Sequence, residues 1–389
     1  MKFYLNSLGI NNSAGSSLNE VYEAIFKKNK KRSKRVNLIS GRQTVAFDVQ
    51  ASLPEIPSHL GKFKSRNNRL LLQAVLQIKD QIQDVISKYG TNRVGIVLGT
   101  STSGIKETEI AFIEKMDGKL SSNFNYYIQE VSNPADFLSE YLELKGIHYT
   151  VSTACTSSAK AFIEARRLLS SNFCDAVIVG GVDTISSLTL NGFDALDSVS
   201  SQMTNPFSAN RMGINIGEGA AIFILSKDPS PIEFLSYGES SDAYHISSPD
   251  PEGRGAEIAI RQALTMASLS PEDVGYVNLH GTGTPKNDEM ESRLMTRVFK
   301  DVLASSTKPF IGHTLGAAAA QELALCYLAL SKVNREALLP VHLWDGVQDP
   351  ALPPLHFVTE GHSIKNRICM SNSFAFGGNN VSLILKGNS

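Results

Sequence analysis

The chain has 389 residues, of which 42% are hydrophobic and 19% charged, with a formal net charge of -1. That is enough sequence for a large buried core and for two structural units, and the balanced charge supplies no global attraction to nucleic acid. Cys155, Cys174, Cys326 and Cys369 stand far apart without a Cys-x-x-Cys pair, which argues against a disulfide framework or zinc site and for a reducing, cytoplasmic setting.

The apolar run at Met1–Asn6 is too short for a signal peptide. Phe3 to Ile10 reads as a first strand and Leu18 to Phe26 as a short amphipathic helix. Next comes the densest charge run, Lys27, Lys28, Lys30, Lys31, Arg32, Lys34 and Arg35, which is either a solvated loop or a docking patch for an acidic partner. The apolar spacing over 67–87 predicts one helix, and Arg93 to Leu98 a buried strand ending in the small polar turn 99–104. A helix near Pro134 to Leu144, a strand at 148–151 and a helix at 157–169 follow, then strands at 175–183 and 220–225. The second half restarts this alternation: strand 232–238, helix 255–267, strand 274–279, helix 288–299, the small-residue helix 316–333 and closing strands at 368–371 and 381–385. Gln321 and Glu322 interrupt the apolar 316–333 run, so a buried helix fits better than a membrane span. Alternating strands and helices predict an α/β protein, and the two similar rounds suggest an internal duplication, divided as 1–228 and 229–389.

Four strand ends carry distinctive residues. Cys155, in Ser152–Ser158, sits where a strand turns into a helix N-terminus, a place where unpaired N–H groups favour a thiolate. Taken alone it reads better as a small buried hydrophobe, which the rest of the chain has to overturn. His280-Gly281-Thr282-Gly283-Thr284 follows a strand directly, His313 lies in the Lys308–Gly316 stretch before a helix, and Asn372–Asn380 forms a glycine-rich turn. A thiol with two imidazoles suits acyl transfer with stabilisation of an oxyanion. A metal site is the rival, but these residues lack ligand spacing, and the nearest carboxylates, Asp288 and Glu291, fall on the helix after the His280 loop. A cysteine protease would leave the second histidine unexplained.

These four segments resemble, in order and spacing, the signatures of the β-ketoacyl-(acyl carrier protein) synthases, the decarboxylating condensing enzymes of the thiolase fold. The resemblance implies two duplicated βαβαβαββ halves in a five-layered αβαβα sandwich. It implies a dimer made through an edge strand, placed at 175–183, either as a homodimer or as a heterodimer with a ketosynthase-like chain-length partner. It also implies decarboxylative Claisen condensation: Cys155 carries the acyl chain, and His280 and His313 hydrogen-bond the thioester oxygen of malonyl-carrier protein. Lys308 matches an active-site lysine, and Glu322, with Asp288 and Glu291, supports the site. The N–H groups of Cys155 and Phe376 make the oxyanion hole, with Phe376 as gate, and Thr102, Thr282, Thr284, Phe374 and Gly377 are implied substrate contacts. No cofactor, metal, nucleic acid or membrane span is implied. Carrier proteins are acidic, so the basic run, joined by Arg66 and Arg69, becomes a candidate docking surface.

Several neighbours in the superfamily are set aside by single residues. Cys369 is not followed by the turn of a thiolase's second cysteine, His313 stands where the initiating synthases have asparagine, and Cys155 is absent from inactive chain-length factors. The stretch Asn205–Gly219 departs from the common family pattern, lacking both of its aspartates and its second aromatic. With the 99–104 turn, it is most similar to ketosynthases of aryl-polyene clusters; housekeeping fatty-acid elongation is the alternative.

Overall fold

A computed structural model describes residues 1–29, 33–118 and 125–388 of the chain. Ten strands form the frame: β1 (Tyr4–Asn11), β2 (Val94–Gly99), β3 (His148–Val151), β4 (Ala176–Asp183), β5 (Gly219–Ser226), β6 (Ile232–Ser241), β7 (Tyr276–Asn278), β8 (Leu303–Ser305), β9 (Ile368–Phe374) and β10 (Asn379–Gly387). The first five lie in the order β3-β2-β4-β5-β1, with β3, β2 and β4 parallel and β5 antiparallel to both its neighbours. The second five repeat that order and those directions as β8-β7-β9-β10-β6, with His356–Phe357 added at the edge. The duplication inferred from element order is therefore visible as a repeated topology. The two sheets join through one paired position, Tyr4 with Glu233.

Strand alternation sorts the side chains into separate cores. On β5, Ala221, Phe223 and Leu225 face a central layer that holds the helices α1 (Ser157–Ser170) and α2 (Ala318–Leu330), packing with Phe162, Leu323 and Leu383. Ala220, Ile222 and Ile224 face outward onto Leu71 and Val75 of the helix Arg66–Leu76. On the other side, Val277, Met370 and Ile384 pack against Ile260 and Leu294 of the outer helices Arg254–Ala267 and Pro285–Val298. The result is the αβαβα sandwich. The polar residues of α2 are matched inside it: Asn12 donates to Gln321 (2.9 Å), Gln321 donates to Asn11 O (2.9 Å) and Glu322 pairs with Lys308. No helix among the described residues is long and apolar enough to cross a membrane.

Three expectations change. The helix expected over 67–87 breaks into Arg66–Leu76 and Lys79–Tyr89, because the Gln77 side chain bonds both N and O of Ile10 and ties the first helix to β1. The end of the basic run is a strand, not a loop: Lys34–Asn37 pairs with Gln43–Phe47, whose residues from Thr44 onward are buried. The segment at 175–183 is no edge. All of β4 is buried between β2 and β5, as expected of a continuous apolar run. The free edge of that sheet is the partly exposed β3.

Candidate active site

Cys155 follows β3 in a turn where Ala154 adopts a left-handed φ of 53°, an unfavourable conformation for a residue with a Cβ. Ser157 Oγ holds the turn, accepting from Thr153 N (2.9 Å) and donating to Ala154 O (2.5 Å). The neighbouring β2 must approach closely, and only glycine permits this at Gly99, where a Cβ would lie 2.3 Å from Ser158 N.

His280 extends from β7, and its loop is anchored from below. The N–H groups of His280 and Gly281 donate to the two oxygens of Glu291, each at 2.7 Å. Asp288 accepts from Phe207 N (2.7 Å) and Gly283 N (3.2 Å). His313 is fixed through its backbone, donating to Asn215 O (2.7 Å) and accepting from Gly217 N (2.9 Å). Lys308, only 1% exposed, donates to Glu322 and to the carbonyl of His280, tying the two histidine segments together.

These supports bring the three side chains into one buried cluster. His313 Nε2 lies 2.9 Å from Cys155 Sγ. One ligand atom from each of Cys155, His280 and His313 lies within 4.8 Å of the others, and the two imidazoles meet edge to face with centroids 5.6 Å apart. Burial pushes the Cys155 thiol up to about 12, against the opposing pull of Lys308 and of the N–H groups of Phe376 and Cys155. The thiolate expected from the helix N-terminus is thus overruled by desolvation. Burial, followed by the Lys308 charge, drives both imidazoles well below their usual range. The resting cluster is a thiol facing two neutral imidazoles.

A cavity of about 370 Å³ opens onto the cluster and is lined by Cys155, His280, His313, Thr282, Phe374 and Phe376 among others. Two larger clefts, about 670 Å³ beside Arg211 and Trp344 and about 460 Å³ beside Arg66 and Glu107, contain none of the three reactive side chains. Thr284 also lines the smaller cavity, and the Phe376 ring packs at a tilt against Phe193 with centroids 5.6 Å apart.

Other expected residues lie elsewhere. Thr102 does not line the cavity, because its hydroxyl is held by Asp183 at 2.6 Å. Gly377 is exposed and contributes its N–H to Ile246 O (2.8 Å). Arg66 is not a free docking cation, since its guanidinium pairs with the buried Glu218. Arg69 bonds Leu53 O and Pro54 O and pairs with Glu55. Lys27 pairs with Glu23 and Glu336, and Lys28 with Glu360. Lys30, Lys31 and Arg32 lie outside the described residues. In the divergent 205–219 stretch, Ser208 and Asn210 donate to Asp345 (2.8 Å each) and Arg211 to Asp349. Carboxylates of a different segment thus brace the loop that supports Thr282 and Gly283. Sequence reasoning missed Phe193, Asp183 and Ser306, whose hydroxyl donates to Gly281 O at 2.6 Å; the one visible signal was a carboxylate closing the apolar run of β4.

A duplicated thiolase-type sandwich that places one thiol and two neutral imidazoles at the junction of its halves defines a condensing acyltransferase. Comparison with known proteins agrees. Residues 15–230 match the family model for the beta-ketoacyl synthase N-terminal domain, and residues 232–340 that for the beta-ketoacyl synthase C-terminal domain. The chain belongs to the β-ketoacyl synthase family, and its activity is ketosynthase condensation in fatty-acid or polyketide chain elongation. It is 28% identical to 3-oxoacyl-(acyl-carrier-protein) synthase 2 of Coxiella burnetii, over 98% of this chain and 97% of that protein. It is 31% identical to the Synechocystis sp. protein of the same name, over 84% and 83%. Among solved structures it is similar to a chain of the ketosynthase ApeO in complex with its chain length factor ApeC from Xenorhabdus doucetiae, with a TM-score of 0.95, 42% identity and coverage of 100% and 98%.

Proposed function

We propose that Cys155 is the acyl-carrying nucleophile of an elongating synthase that draws both of its substrates from acyl carrier protein. The observation that carries this reading is the 2.9 Å contact of Cys155 Sγ with His313 Nε2 at the floor of the cavity. As the sulfur attacks the acyl thioester, its proton passes to neutral His313 and then to the departing carrier thiol, so one S–C bond forms as another breaks. The N–H groups of Cys155 and Phe376 receive the negative charge on the carbonyl oxygen. Malonyl-carrier protein then enters, and the two imidazoles, His313 now in its Nε2–H tautomer, donate to its thioester oxygen while CO2 leaves. The enolate carbon attacks the acyl carbonyl, and Cys155 departs as a thiolate that takes up one proton from solvent, the proton the decarboxylative condensation consumes. Neutral imidazoles serve this step well, because two buried cations beside Lys308 would repel one another. Lys308, paired with Glu322, donates to the His280 carbonyl, and Glu291 and Asp288 keep its loop rigid.

The same reading pairs the chain with a ketosynthase-like chain-length subunit in building an aryl-polyene-type chain. Its support is the 42% identity to a chain of the ApeO–ApeC complex, against 28% and 31% for the two synthases above. Intact-mass analysis after mixing with acyl-carrier protein tests the chemistry. An acyl adduct is expected on the wild type and none on Cys155→Ala, and an adduct that persists in the variant overturns the assignment. Co-expression with a neighbouring subunit, followed by assay on polyene and saturated acyl carriers, tests the pathway; equal turnover of saturated chains by the lone protein points to housekeeping elongation.

A further inference from the structure

Asp183 ends β4 with no solvent exposure and makes no direct contact with the triad. Its Oδ1 accepts from Thr100 Oγ1 (2.9 Å), Ser101 N (2.8 Å), Thr102 N (2.7 Å) and Thr102 Oγ1 (2.6 Å). Its Oδ2 accepts from Ala317 N at 3.0 Å. The first four donors belong to the turn after β2, which backs the Cys155 turn: Thr100 N donates to Val151 O (3.3 Å), and Ser101 Oγ reaches Ala154 O at 3.5 Å. The fifth donor belongs to the turn that carries the chain from His313 into α2. One carboxylate therefore grips, with separate oxygens, the mount of the sulfur and the mount of the imidazole. Gly316 shows how close these parts lie, since a Cβ there would meet Ser101 N and Asp183 Oδ2, each at 2.8 Å.

We propose that Asp183 is a positioning residue that sets the Cys155–His313 approach by clamping the Thr100–Thr102 turn to the turn after His313. The proposal rests on Cys155 and His313 being the reacting pair. An amide of the same shape cannot replace the clamp. Whichever way the side-chain amide of the Asp183→Asn variant faces, its NH2 group confronts N–H or O–H donors on one side, so one of the two grips is lost. A small displacement of a reacting pair costs rate steeply even when folding is intact.

The test compares Asp183→Asn with wild type and His313→Ala, using the rate of Cys155 alkylation by iodoacetamide at pH 8, the condensation kinetics and thermal melting. Asp183→Asn is expected to slow alkylation about tenfold and to lower kcat about 10- to 100-fold, with KM for the carrier substrate within about twofold, in protein that remains folded. A folded Asp183→Asn with wild-type alkylation and kcat overturns the proposal. If Asp183→Asn does not fold, Thr102→Val, which removes one donor and keeps the shape, is expected to move the same readouts in the same direction by a few-fold, and wild-type behaviour there overturns the clamp. His313→Ala separates the two failures. If it leaves alkylation unchanged, the reacting pair itself is wrong; if it slows alkylation while Asp183→Asn does not, only the clamp fails.

Discussion

The two halves of the fold repeat one strand order but equip their strand tips differently. In the first half, residues 152–156 between β3 and α1 form a short strained turn that presents a single sulfur. The matching connection of the second half, residues 306–317 between β8 and α2, is longer and houses both Lys308 and His313. After β2 the tip carries hydroxyls turned onto Asp183, whereas the equivalent tip after β7 carries His280. One copy thus supplies a nucleophile and its rigid mount; the other supplies the imidazoles and a buried ion pair. The reactive atoms meet because α1 and α2 share the central layer, where Ala320 N donates to Ser158 Oγ at 2.9 Å. The active site exists because the two topologically matching halves carry different residues on either side of that layer.

The sharpest way to break this comparison is to separate the two imidazoles. His313 touches the sulfur and His280 does not. His313→Ala is therefore expected to slow both acyl transfer to Cys155 and malonyl decarboxylation, by about 10²- to 10⁴-fold. His280→Ala should slow decarboxylation by a similar factor while leaving acyl transfer within about tenfold. Rapid-quench mass analysis and CO2 release measure the two steps, and equal losses in both variants would erase the distinction.

Next in size is the ion pair. Lys308→Met leaves Glu322 buried and unpaired, a change that costs about 3–5 kcal/mol of stability at a site where both partners are at most 2% exposed. Lys308→Met combined with Glu322→Leu should recover most of that stability, because an apolar pair can replace a buried ion pair. It should not recover activity, because the His280 carbonyl has lost its donor. Denaturant melts and kcat measured on both variants decide this, and recovery of kcat in the double variant would make the pair merely structural.

Most of the frame was legible because long apolar runs and helix-period stretches speak for themselves. Leu18–Phe26 and His148–Val151 were expected at their observed bounds, and the repeated alternation announced two rounds. The triad was legible for another reason: histidines beside glycines at strand ends have little use in packing. What stayed hidden was tertiary. Gln77 breaks a helix by bonding a strand, and Asp183 and Glu218 collect donors from segments far apart in sequence. The thiol's ionisation was misjudged because the helix dipole is a local property, whereas desolvation is set by everything packed around Cys155.

A smaller effect should appear in the pH dependence of stability. Burial raises Glu291 to about 7, and Asp183 and Asp288 to about 6. A folded state that holds these protons longer than the unfolded chain is most stable below the unfolded values. It loses that advantage as pH rises from about 4 through the folded values. For Glu291 the window runs from 4.5 to about 7, with a slope on the order of 1 kcal/mol per pH unit. Glu291→Gln should flatten this slope while weakening the anchor of His280 and Gly281. Denaturant unfolding of both proteins between about pH 4.5 and 7.5 measures it, and parallel curves would mean that Glu291 carries no such shift.

The smallest expected effect concerns the basic run, where the two halves meet at the surface. Lys27 and Lys28 belong to the first half, but they pair with Glu336 and Glu360 of the second. Exposed pairs of this kind contribute roughly 0–1 kcal/mol. Their cations are already screened by those carboxylates against any acidic partner. Reversing both lysines to glutamate should therefore change KM for a carrier protein by less than about twofold and leave its salt dependence nearly intact. The measurement is steady-state kinetics at two ionic strengths. A several-fold rise in KM that high salt abolishes would show that these lysines leave their intramolecular partners when a carrier protein arrives, and it would give the first half a docking role as well as the nucleophile.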